Sequence, residues 1–217
     1  MSEFASRRVM MVDTQVRPSD VTKFPIIDAM LSVPRETFVP DDKREAAYVG
    51  ENLTLAPGRV VLEARTLAKL LDALDIQPTE LVLDVGCGLG YSAAVIARLA
   101  ETVVALEEDE GLAADAQRIL SEEGVDNAVT ITGRLAEGAA NCAPYDVITI
   151  EGGVEQIPAP ILSQLKDGGR IGAIFMENAV GTARIGYKAA GQMTWRSIFN
   201  AAAPVLPGFA KPRGFTL

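Results

Sequence analysis

The chain has 217 residues, 48% hydrophobic and 23% charged, which is enough apolar material to bury a core without disulfide or metal staples. Its formal charge of −9 argues against sequence-independent binding to nucleic acid, which depends on lysine and arginine neutralising phosphates. Histidine is absent, which removes Ser-His-Asp and Cys-His mechanisms and histidine metal sites, and the two cysteines, Cys87 and Cys142, are too few for a zinc cluster or a disulfide framework.

No apolar run approaches the roughly 20 residues of a membrane span, and no basic, apolar leader opens the chain, so a soluble, cytoplasmic protein is expected. Residues 1–60 mix charges with short apolar groups and read as a helical cap and substrate-side segment. Within them "FPIIDAMLSV" is a predicted helix that "PRETFVP" terminates. Residues 61–217 read as one compact ligand-binding unit. Leu67, Leu70, Leu71 and Leu74 recur at helical spacing, and "LVLDVG" then reads as a buried parallel strand.

Alternation continues from there. "YSAAVIARLA" is helical, "TVVALE" a strand, and "EGLAADAQRILSEEG" a helix stopped by Gly124. Nine acids against the single base Arg118 between Glu101 and Asp126 read mostly as a solvated helix face with an acidic first turn. "AVTITG" and "YDVITIEGG" are strands, "IPAPILSQLK" a helix halted at "DGG", and "RIGAIF" a fifth strand. "TARIGYKA" and "MTWRSIFN" flank "AGQ" as an antiparallel hairpin, with Trp195 and Phe199 expected on one face. The whole predicts an α/β, doubly wound, Rossmann-like sheet of seven strands, mostly parallel and ending in an antiparallel hairpin.

In "LDVGCGLGYS", Gly86, Gly88 and Gly90 follow a strand and open a helix, so backbone can approach a ligand at the carboxyl edge of the sheet. A dinucleotide fold would use G-x-G-x-x-G to seat a pyrophosphate, but Tyr91 stands where the third glycine belongs. The shorter spacing, preceded by Asp84, suits a ligand without phosphate whose ammonium faces the acid: S-adenosyl-L-methionine, with S-adenosyl-L-homocysteine as product. Glu107, ending the second strand, is placed to accept both ribose hydroxyls. Cys87 has no histidine base and reads as a small residue the turn requires.

"AMLSVPRETFVP", "AAY", "LVLDVGCGLGYSAAVIARL", "YDVITIEGGVEQIP" and "LSQLKDGGRIG", in this order and spacing, resemble the protein-L-isoaspartate O-methyltransferases from about residue 22 to 175. The resemblance implies a class I methyltransferase fold and, as acceptor, the free carboxyl group of an isoaspartyl residue in damaged protein. It also implies a donor cradle of Asp84, Gly86, Cys87, Gly88, Gly90, Tyr91, Ser92, Glu107, Glu108, Gly133, Arg134, Leu135 and Glu151.

Three departures stand out against that family. Leu62 replaces a serine important for activity, Gly133-Arg134 replaces a Gly-Asp near the adenine amine, and Glu151-Gly152-Gly153 replaces small polar residues, so that Glu151 is a second-best adenine contact. Arg59 and Arg65, within three residues of Leu62, are the candidate grips on an acceptor carboxylate, since guanidinium pairs bidentately with carboxylate. The alternatives are a non-catalytic donor-binding or protein-interaction module and, with the glycine spacing against it, a nucleotide-dependent oxidoreductase.

Overall fold

The computed structural model describes residues 3–212. Helix α1 (Glu3–Met11) runs on through a wider π-helical turn (Val12–Val16) and a tighter 3-10 turn (Arg17–Ser19), and α2 (Phe24–Ser32), with proline in its first turn, buries Ile26, Ile27, Ala29 and Met30. A short hairpin follows, β1 (Leu53–Ala56) and β2 (Arg59–Val61), turned by Pro57 and Gly58. Asn52 holds its base, donating to Ala202 O at 2.8 Å and accepting from Glu63 N at 2.9 Å. Helix α3 (Ala64–Leu74) then buries Leu67, Leu70, Leu71 and Leu74, as their spacing predicts.

The sheet is built from β3 (Leu81–Val85), β4 (Thr102–Glu107), β5 (Ala128–Thr132), β6 (Tyr145–Val154), β7 (Leu165–Glu177), β8 (Val180–Ala189) and β9 (Gln192–Asn200). Its order is β5-β4-β3-β6-β7-β8-β9, the first five parallel and the last two antiparallel. Helices α4 (Tyr91–Ala97) and α5 (Glu110–Glu122) follow β3 and β4, and Asp109 caps α5 by accepting from Leu112 N.

One face of the sheet, carrying Val82, Val103, Ala105 and Val147, shares a core with α2, α3, α4, α5 and α1's last residue, Met11. The N-terminal segment is therefore packed into the same core as the sheet, and the boundary expected between 60 and 61 falls inside β2. The opposite face, carrying Leu83, Val85, Leu106, Ile148 and Ile150, is covered by α6 (Ala159–Ser163), Leu135, Leu206 and Phe209.

Two local expectations are corrected. The helix expected over "IPAPILSQLK" is only α6, because Leu165 already pairs with Tyr145 and the "DGG" that follows is an irregular step inside β7. Trp195 and Phe199 lie on opposite faces rather than one. Trp195 pairs with Gly186 and Phe199 with Ala183, but the register slips by one residue between them, at Ile198. Trp195 accordingly meets Phe175 edge-on at 4.8 Å, whereas Phe199 lies under Arg65 and Lys69 of α3.

Candidate functional site

Strand register brings three carboxylates together. Asp84 pairs with Ala105 on one side and Thr149 on the other, and one pleat period further along those neighbours stand Glu107 and Glu151. All three acids therefore lie on one sheet face at the carboxyl ends of adjacent strands, and all three are buried. The glycine turn after β3 bends over them with Gly86 at φ +83° and Gly90 at φ +93°, and Gly86 N and Cys87 N both donate to Leu106 O.

Their partners differ. Asp84 accepts from Ser92 Oγ at 2.6 Å through Oδ2, while its buried Oδ1 has no donor among the described residues. Glu107 is fully engaged: Oε1 accepts from Glu108 N and Asp109 N, and Oε2 accepts from Gly88 N at 2.8 Å and from Arg59 Nη2. Glu151 accepts from Thr149 Oγ1 at 3.0 Å.

Burial, then the nearby Glu151 charge, raises Asp84 well above the usual carboxylate range. Burial pushes Glu151 up to about 7, against the Thr149 hydrogen bond and the charges of Arg59 and Arg35. Both acids hold their protons more tightly folded than unfolded, so between their ordinary values and about pH 7 the folded chain binds more protons and stability falls as pH rises. Urea unfolding between pH 4.5 and 8 is expected to show wild type losing more stability than Glu151→Gln across that window. Identical pH slopes for the two chains would contradict this.

Arg59 was expected to meet an acceptor carboxylate; the carboxylate it meets is the chain's own Glu107. Arg59 is only 5% exposed, and the Nη edge of its guanidinium meets Gly86, with Nη1 and Nη2 at 3.0 and 3.1 Å from where a Cβ there would stand. Among the described residues, Nε and Nη1 of Arg59 have no hydrogen-bond partner. Leu55, from the same hairpin, covers Gly88, and Leu206 covers Gly86 and Gly152. The cavity left among Val60, Leu62, Gly86, Tyr91, Ser92 and Glu151 is about 10 Å³.

The other candidates are dispersed. Arg65 pairs loosely with Glu63 at 3.8 Å and stands over Phe199, on the α3 side. Arg134 is exposed and pairs with Glu137, and Glu108 is exposed. Gly133 N donates to Glu107 O, and Leu135 is in the core of the opposite face. Cys87 is buried, its thiol raised well above the ordinary value first by burial and then by the surrounding carboxylates. Leu62 is 1% exposed and packs with Val60, Ile174, Ala183 and Ala203, so at this position the side chain is core.

Three participants were not singled out from sequence. Leu55 and Leu206 form the cover just described. Arg35, fully buried, donates to Ala47 O at 2.7 Å and Leu62 O at 2.8 Å and stacks 4.6 Å over Tyr91. The "PRETF" stretch was the available signal for Arg35, and the alternation "LTLAPGRVV" for the hairpin.

Among the described residues, no group of acids and cysteines could hold a metal ion and no helix is long and apolar enough to cross a membrane. The profile of the protein-L-isoaspartate (D-aspartate) O-methyltransferase family matches residues 8–185. A protein-L-isoaspartate O-methyltransferase of Syntrophus aciditrophicus is 36% identical over 171 residues, 79% of this chain and 78% of that one. One from Koribacter versatilis is 36% identical over 79% of this chain and 77% of its own.

Among solved structures, a protein-L-isoaspartate O-methyltransferase superposes with a TM-score of 0.80 at 23% identity, covering 93% of this chain and 66% of that one. A Plasmodium falciparum chain assigned the same activity, solved in complex with S-adenosyl-L-homocysteine, gives 0.78 at 16% identity, over 95% and 99% of the two chains. Sheet order, glycine turn and sequence similarity over most of both lengths agree, and this chain belongs to the protein-L-isoaspartate (D-aspartate) O-methyltransferase family.

Proposed function

We propose that the chain is a methyltransferase passing the methyl group of S-adenosyl-L-methionine to a carboxylate, of an isoaspartyl residue in damaged protein or of a related acceptor. The observation that carries this reading is the glycine turn with Asp84 and Glu107 at the carboxyl edge of the sheet, in a chain 36% identical to named members of the family. Family membership weighs against a non-catalytic module.

The donor set suits the cofactor in kind. Asp84 Oδ1 is a buried acceptor with no donor among the described residues, and Gly86 and Gly88 carry no side chain of their own above the turn, the space over them being taken by Arg59, Leu206 and Leu55. In volume it does not: about 10 Å³ stands against the roughly 300 Å³ or more of a ligand pocket. No step through the donor follows from this closed arrangement. When bound, the donor supplies the methyl group. An acceptor carboxylate is ionised at neutral pH and needs no strong base, so a chain without histidine is not handicapped. What the protein contributes is orientation and exclusion of water.

Incubation with methyl-labelled S-adenosyl-L-methionine and isoaspartyl peptides, then with a panel of proteins and small carboxylic acids, is expected to show transfer. Absence of transfer to every acceptor, in a chain that binds S-adenosyl-L-homocysteine, would restore the non-catalytic reading.

A further inference from the structure

We propose that Arg59 is a built-in occupant of the donor cradle, holding by its guanidinium the carboxylate that would otherwise take the ribose hydroxyls. The proposal rests on the donor reading of Glu107 given above. Glu107 Oε2 already accepts from Gly88 N and Arg59 Nη2, and Oε1 from two further backbone N–H groups. A carboxylate offers about four lone-pair positions and all four are taken, so a ribose hydroxyl needs one donor to leave, and Arg59 is the one side chain among the four.

The position of the side chain makes the exclusion steric as well. The guanidinium lies on Gly86, the residue that brings backbone to the ligand, and Leu55 and Leu206 occupy the space on either side. Each comes from a segment anchored by its own hydrogen bonds. Asn52 ties down the hairpin, while Leu206 N donates to Gly153 O and Gly153 N donates to Pro204 O. The arrangement is not one an ion pair needs for its own sake. Nε and Nη1 of Arg59 are buried without partners among the described residues, a cost carried by holding the side chain at this place rather than at the surface. Donor binding therefore competes with an intramolecular ligand, and the closed cradle is the resting state.

The test is calorimetric titration of S-adenosyl-L-homocysteine into wild type, Arg59→Ala, Arg59→Gln and Leu206→Ala, with thermal unfolding to confirm that each is folded. Arg59→Gln keeps most of the side-chain volume and serves if the alanine variant does not fold. Both Arg59 variants are expected to bind at least tenfold tighter than wild type, with Leu206→Ala gaining less. Wild-type binding as tight as that of the Arg59 variants, or an equal gain from Leu206→Ala, overturns the assignment of Arg59 while leaving the donor reading standing. Failure of all four chains to bind overturns both.

Discussion

Glu107→Ala is expected to lower the free energy of unfolding by about 3–5 kcal/mol, the range for removing one member of a buried ion pair. The loss falls on four donors at once. Arg59 Nη2, Gly88 N, Glu108 N and Asp109 N all point at this carboxylate, and the first belongs to a guanidinium that already has two unpartnered nitrogens. Removing the other partner is less damaging. Arg59→Met leaves Glu107 with three backbone N–H groups and keeps an apolar side chain against Gly86, so a loss of about 1–2 kcal/mol is expected. Urea unfolding of both variants at pH 7 measures the difference. Equal losses would mean that the backbone donors contribute nothing to holding the acid, and that its burial depends on Arg59 alone.

Arg35→Ala is expected to cost about 3–5 kcal/mol through a cavity and two abandoned carbonyls. The guanidinium donates to Ala47 O and Leu62 O, joining the turn before the hairpin to the residue just after it, and lies on the ring of Tyr91 at the start of α4. Burial pulls it below the ordinary arginine value, opposed by the Tyr91, Tyr48 and Glu151 groups around it. Lysine has one compact ammonium and cannot span the two carbonyls in a plane, so Arg35→Lys is expected to recover less than half of the loss in the same urea titrations. Full recovery by lysine would show that charge, and not the fork, is what the site requires.

The βα alternation, the acid at the end of β4 and the glycine turn were readable because each depends on local pattern: apolar runs of strand length, helical spacing, and glycine where backbone must reverse. The slip in β9 was not readable, since an extra residue leaves composition and alternation almost unchanged until a partner strand reveals it. Nor was the burial of Arg59. Its spacing from Leu62 suggested an acceptor grip, but 48 residues separate it from Glu107 in sequence, and only the folded hairpin brings them together. Leu206 was beyond reach for the same reason: "VLPGF" carries no periodicity, and its place is set by hydrogen bonds to Gly153 and by Phe209 O accepting from Glu155 N and Gln156 N.

The extra residue at Ile198 acts as a side selector. Ahead of it the last strand belongs to the layer of α6 and Phe175; behind it, to the layer of α3 and Leu62. Ile198 itself, 38% exposed, is what is left over at the changeover. One strand thereby fastens both layers of the molecule, so a change of a single residue in its length would detach one of them, whatever the composition of the rest.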